Sequence, residues 1–135
     1  MLDTNVAIHL RDGDARVARE VAALEGAVLV SIVTRVELEG GVYREAAHAH
    51  LRRARLDLML RAIPTVAFDD AAADVYRAIV ARSGYSRRKL LDRMIAAQAL
   101  VHRATLVTLN AEDFADVPDL SLLVWRAAPV MGGGA

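Results

Sequence analysis

The sequence predicts an α/β protein, a three-layer α/β/α sandwich around a mostly parallel central sheet. Three observations carry that expectation. Short β-branched and aliphatic runs alternate with longer segments of helical period. The spacings between the short runs leave room for helical crossovers, which parallel strands require. Apolar residues make up 55% of the chain with no linker-like break, and 135 residues suffice for one core but not comfortably for two.

The elements follow in order. Met1 to Asp3 reads as a first strand of minimal length, so that either the strand is cut short or the natural chain begins further upstream. A helix through Val6, Ala7, Ile8 and Leu10 follows it, and a second covers Asp14 to Leu24. Ala27 to Ser31 (AVLVS) is the next strand, Thr34 to Glu45 and Ala46 to Ala62 are helices, and Thr65 to Phe68 (TVAF) is a strand. Asp70 to Ser83 and Lys89 to His102 have helical period, the latter with a stripe of Leu91, Ile95, Ala99 and Leu100. Thr105 to Thr108 (TLVT) and Leu122 to Trp125 (LLVW) complete the sheet, with Trp125 expected in the core. Pro64, Pro118, Gly13, Gly26 and the Gly40-Gly41 pair punctuate the chain. The domain is expected to span 1–126, and 127–135, which holds APVMGGGA, to be a flexible tail.

Composition excludes several classes. Seventeen basic and seventeen acidic residues cancel, which rules out a general nucleic-acid coat protein and leaves any nucleic-acid contact to a local patch. The absence of Cys removes disulfides, thiolate zinc sites and thiol nucleophiles. No apolar run approaches the roughly 20 residues of a membrane span, and no signal peptide opens the chain, so a cytoplasmic protein is expected.

Parallel sheets bind ligands beyond the carboxyl ends of their strands. Asp3 stands at the first such end. Ser31, Thr34 and Glu37 follow the second in SIVTRVEL, and Asn110, Glu112 and Asp113 follow TLVT in LVTLNAEDF. Asp92, in LLDRMIAAQAL, lies near the start of a helix among apolar neighbours. Each has a structural reading. Asp3, Thr4 or Asn5 can cap the first helix. Thr34 and Glu37 fit a capping box, Asp92 a first-turn acid favoured by the helix dipole, Asn110 a turn, and Asp113 a cap or solvated acid. The functional reading rests on their coincidence at one sheet edge. Gathered carboxylates repel unless a cation sits among them. With no thiolates and no well-placed histidines, Mg²⁺ or Mn²⁺ is the expected ion, and metal-assisted transfer of a phosphoryl group to water the expected chemistry.

Four motifs, LDTNV, SIVTRVEL, LDRMIAA and LVTLNAEDF, in this order and at these separations, resemble a PIN domain of the VapC toxin type. The resemblance covers Leu2 to Trp125. It implies a Mg²⁺- or Mn²⁺-dependent endoribonuclease, the toxin of a type II toxin-antitoxin system, forming a homodimer and neutralised by a VapB-like antitoxin that carries the DNA-binding domain. Carried over by position, the resemblance places the acidic site on Asp3, Glu37, Asp92 and Asp113, supported by Asn5, Thr108 and Asn110, with Asp3 and Asp92 similar to the most constant metal ligands. Many PIN domains have Asp where this chain has Asn110, which leaves one ion or two open. On this reading Asp3 and Asp92 hold one ion, Glu37 and Asp113 orient waters and the nucleophile, and the Asn5 amide holds Asp3 or a phosphate oxygen.

RNA approaching acidic groups needs positive charge nearby, for which Arg82, Arg87, Arg88 and Lys89 are the candidates; the alternative is a solvated face. His48 and His50 lie two apart on a helix and cannot share a face, so both are expected in solvent. Arg52, Arg53, Arg55 and Arg61 interleave with Leu51, Ala54, Leu58 and Met59 as an amphipathic helix, and offer a groove wall for an antitoxin segment. Two other classes compete. A phosphatase or phosphoacceptor also places an Asp after a first parallel strand, but the dehalogenase type would want Asp at Asn5 and a receiver a lone Lys after a late strand, whereas Lys89, the only Lys, lies in a helical or loop context. A catalytically inert PIN domain, acting as an RNA- or partner-binding module, would be expected to have lost some of the four acids.

Overall fold

The structure, a computed structural model, describes residues 1–126; the expected tail, 127–135, lies outside the described residues. The elements are α1 (Thr4–Arg11), α2 (Ala15–Ala22), β1 (Val30–Ser31), α3 (Ile32–Val42), α4 (Ala46–Ala62), β2 (Thr65–Val66), α5 (Asp70–Ser83), α6 (Leu90–Val101), β3 (Leu106–Thr108), a 3-10 turn (Ala111–Phe114) and β4 (Leu122–Val124).

The sheet is parallel throughout. Val30 and Ser31 pair with Thr65 and Val66, and β3 pairs with β4 over Leu106 to Thr108. Leu2 joins the two halves, bridging Val30 on one side and Val107 on the other. The order across the sheet is therefore β2, β1, Leu2, β3, β4. The first strand is expected over Met1 to Asp3, and it is reduced to this single bridging residue because Asp3 already caps α1. Its backbone is nevertheless tied to both neighbours. Leu2 N–H donates to Leu29 O at 2.9 Å, Asp3 N–H to Val107 O at 2.8 Å, and Val107 N–H to Met1 O at 2.8 Å.

Alternation along the strands separates two cores. Met1 and Leu106 face one layer with Ile79 of α5, Ile95, Ala96 and Ala99 of α6, and Phe114. Leu2, Val30 and Val107 face the other with Val6 and Ala7 of α1, Val17 of α2, Leu38 and Val42 of α3, and Leu56 and Met59 of α4. These are the three layers expected of the sequence. Gly13 and Gly26 turn with positive φ, whereas Gly40 and Gly41 stay inside α3 and do not punctuate it. At Gly41 a Cβ would stand 2.7 Å from Arg11 Nη1, so the missing side chain makes room for a buried guanidinium. Trp125 is half-buried against the second core rather than enclosed in it. His48 and His50 are both exposed on α4, the solvent positions expected for them.

Candidate active site

Leu2 is the point at which chain order reverses: β1 and β2 build outward on one side of it, β3 and β4 on the other. Ligands of open parallel sheets bind at such a point, beyond the strand ends. Asp3 is the next residue. It is 3% exposed, and both carboxylate oxygens are engaged. Oδ1 accepts from Thr4 N–H at 2.8 Å, and Oδ2 accepts from the Thr108 hydroxyl at 2.9 Å. The cap and the strand-end acid are the same carboxylate. Asn5 is exposed and is not among the partners of Asp3.

The neighbouring segments are pinned by small polar side chains. The hydroxyls of Thr4 and Thr34 meet at 2.9 Å, tying α1 to α3. Thr34 and Glu37 do not form the capping box that is the structural alternative for them. Ser31 caps α3 through Val33 N–H at 2.9 Å, which frees Glu37 to lie further along the helix and away from the cap. Ser31 also donates to Gln98 of α6, whose amide donates to Val66 O at 3.0 Å. The Thr108 hydroxyl accepts from Asn110 N–H at 3.1 Å. Asn110 caps the 3-10 turn through Glu112 N–H at 3.2 Å and donates from its amide to Asp113 Oδ1 at 3.2 Å.

Two adjoining clefts open onto these groups. One, of about 270 Å³, is lined by Asp3, Asn5, Glu37, Arg87, Arg88 and Asp92 among others. The second, of about 340 Å³, is lined by Arg88, Lys89, Asp92, Glu112 and Asp113. Asp92, in the first turn of α6, belongs to both. Arg82 lines neither and stands 3.9 Å from Asp119. Behind Glu37 the surface continues into a larger hollow of about 570 Å³ with Arg11, Arg44 and Arg52 in its wall; of these the sequence singled out only Arg52, as part of a groove wall on α4.

The carboxylates feel one another. Burial pushes Asp3 above the ordinary carboxylate range, against the lowering effect of the Thr108 and Thr4 hydrogen bonds, and Asp113 adds to the rise. Burial and then Asp3 push Glu37 up. Asp92 is pushed up to about 6, first by burial and then by Asp3, Asp113, Glu37 and Asp116. Such mutual repulsion is relieved by protons or by a cation. Among the described residues no three acidic or imidazole side chains converge closely enough to cage an ion by themselves. The donors that line the two clefts, Asp3, Glu37, Asp92, Glu112 and Asp113, are carboxylates, a hard-oxygen set. That combination fits Mg²⁺ or Mn²⁺, which retain several waters beside one or two carboxylates, and does not fit zinc.

The sequence missed a buried ion pair beside the acids. Arg93, next to Asp92, is 3% exposed and donates from Nε and Nη2 to Asp116 Oδ2 at 3.0 and 2.6 Å. Arg and Asp separated by 23 residues carry no periodic signal, so sequence alone could not have paired them.

A model of the PIN domain matches residues 1–120. Ribonuclease VapC2 of Rickettsia felis is 26% identical over 132 residues, spanning 93% of this chain and 96% of that protein. The crystal structure of VapBC2 from Rickettsia felis, bound to a DNA fragment from their promoter, is similar with a TM-score of 0.75 and 25% identity, over 93% of this chain and 98% of that one. The crystal structure of FitAcB from Neisseria gonorrhoeae gives a TM-score of 0.76 and 26% identity, over 90% and 94% of the two chains. Strand order, the acids at the reversal point and a family match over nearly the whole described chain agree, and the protein belongs to the PIN-domain family.

Proposed function

We propose that this protein is the toxin of a type II toxin-antitoxin pair, an endoribonuclease that uses Mg²⁺ or Mn²⁺ to cleave RNA phosphodiester bonds with water. The observation that carries the reading is that Asp3, Glu37, Asp92 and Asp113 line two adjoining clefts at the reversal point of the sheet, where burial and then the neighbouring acids push Asp92 up to about 6. The similarity to VapC2 and to VapBC2 supports the choice of nuclease, of a VapB-like antitoxin as partner and of a DNA contact made through that partner. A homodimer is part of the proposal.

Asp3 and Asp92 would hold the ion, directly or through water. When bound, the ion supplies charge stabilisation to the phosphodiester under in-line attack and lowers the pKa of a bound water. The remaining work falls to the chain. Thr4 N–H and the Thr108 hydroxyl fix both oxygens of Asp3, so that it meets its ligand without reorganising. Glu37 and Asp113 accept hydrogen bonds from the attacking water and its neighbours, with Asp113 held by the Asn110 amide. Asn5 donates to a phosphate oxygen. Arg87 and Arg88, on the rim of the clefts, draw the RNA backbone toward the acids, with Lys89 beside them. The same rim keeps an acidic pocket accessible to a polyanion.

The test is cleavage of a panel of structured RNAs by the purified protein, with Mg²⁺, with Mn²⁺ and with chelator. Cleavage that needs the ion and is blocked by a VapB-like antitoxin is the expected result. Tight RNA binding without cleavage under any ion would replace this reading with that of a binding module.

A further inference from the structure

Beyond the small push that Asp116 gives Asp92, the Arg93–Asp116 pair has no assigned role above, yet its guanidinium touches more than one functional segment. Nε and Nη2 hold Asp116, which lies just beyond the 3-10 turn that carries Asp113. Nη1 donates to Gly84 O at 2.6 Å, at the root of the loop that presents Arg87 and Arg88. Asp116 in turn stands 3.5 Å from Lys89 Nζ, and its backbone carbonyl accepts from Ser83 Oγ at 3.0 Å. The other oxygen, Asp116 Oδ1, is buried with no hydrogen-bond partner.

Against the effect of burial, Arg93 holds the Asp116 carboxyl below the ordinary range, so the pair contributes to stability, although one lone-pair site stays unsatisfied. The geometry gives it a further purpose. Arg93 follows Asp92 on α6, and from that position one rigid fork reaches both the basic loop and the acid-bearing turn. A lysine, with a single point of charge, could not hold both in fixed directions.

On the nuclease reading above, we infer that Arg93 and Asp116 are positioning residues: a buried clip that sets the separation of Asp113 from Asp92 and fixes Arg87 and Arg88 over the cleft. The pair acts through its neighbours and touches neither substrate nor ion.

The test replaces both charges at once, Arg93→Leu with Asp116→Leu, so that no unpaired buried charge remains. Amide hydrogen exchange is read with cleavage kinetics at a temperature where the variant is folded. The expected result is loss of protection at residues 84–89 and 111–117 together, a fall in kcat of about 10- to 100-fold and a rise in KM. A purely structural pair would lower the melting temperature and leave kcat per folded molecule unchanged. Protection retained in either segment, or kcat within about twofold of wild type, overturns the inference. If the double variant does not fold, Arg93→Lys is judged by the same two criteria. If wild type itself cleaves no RNA, the nuclease reading fails, and hydrogen exchange alone decides whether the clip exists: joint loosening supports it and unchanged protection overturns it.

Discussion

Glu37 and Glu39 lie two residues apart on α3, on different sides of the helix, and their surroundings treat them in opposite ways. Glu39 faces α4, where both terminal nitrogens of the Arg53 fork donate to it at 3.0 and 2.9 Å, and Asp57 shares the same guanidinium. The Arg53 hydrogen bond holds its carboxyl below the ordinary range. Glu37 faces the strand ends, where burial and Asp3 hold it above that range. One helix thus separates a surface whose charges are neutralised by fixed partners from an edge whose charges are left without them. Charge on the first side is satisfied within the fold; charge on the second is available to a ligand.

The largest effect expected of this contrast is at Asp92 and Asp3. Asp92→Asn or Asp3→Asn should reduce cleavage on the order of 100-fold or more, while the metal-free variant melts as high as wild type or a few degrees higher, since repulsion is relieved. Asn at position 3 can still accept from Thr4 N–H, so the cap of α1 survives. Scanning calorimetry beside a cleavage assay tests the pair of outcomes. A variant that loses both activity and stability would make Asp3 a structural residue only.

Next in size is the pH dependence. The raised pKa values of Asp3, Glu37 and Asp92 mean that the folded protein binds more protons than the unfolded chain between the ordinary carboxylate value and about 6 for Asp92. Their contribution to stability therefore falls as pH climbs through that window, by roughly 1–2 kcal/mol from Asp92 after allowance for solvent screening. Glu39 has the opposite sign: its contribution is present above the unfolded value and is lost as pH falls through the folded one. Melting curves of the metal-free protein at steps from pH 4 to 7 should show the Asp92 loss vanish in Asp92→Asn, and Mg²⁺ should reverse it at pH 7 in wild type only.

Smaller again is the basic rim. Changing Arg87 and Arg88 to Ala should weaken RNA binding and reduce the slope of log affinity against log salt by about 1 for each phosphate that is no longer neutralised. Arg82→Ala should leave that slope unchanged, since Arg82 lies outside the clefts beside Asp119. The smallest effect is on the paired side. Glu39→Gln should cost under about 1 kcal/mol, less in high salt, with kcat unchanged. A kcat that moved with Glu39 would break the division of α3 into two sides.

Helix α4 covers Ala46–Ala62 and α5 Asp70–Ser83, the spans expected from apolar period, because that period is a local signal over many turns. The strands are shorter than expected everywhere, down to one bridging residue at Leu2, since strand length is set by neighbours distant in sequence. Asp3, Glu37, Asp92 and Asp113 were legible as acids at strand ends and at a helix start, and the structure gathers them at one edge. What holds them there was not legible. Thr108 on Asp3, Thr4 on Thr34 and Ser31 on Gln98 are hydrogen bonds that span 105, 30 and 67 positions of sequence. The capping-box alternative for Thr34 and Glu37 fails for a local reason: Ser31, three residues earlier, is itself a good cap and starts α3 before Thr34.

Leu2 also fixes when activity can arise during synthesis. Leu2 forms the middle of the sheet, and one of its two flanks is β3, made more than a hundred residues later. Until Val107 and Thr108 emerge, Asp3 lacks both the strand beside it and the hydroxyl that aims it. On the nuclease reading, a nascent chain stays inactive through the hundred and more residues between Asp3 and Thr108, and its first carboxylate is aimed only once β3 has been made.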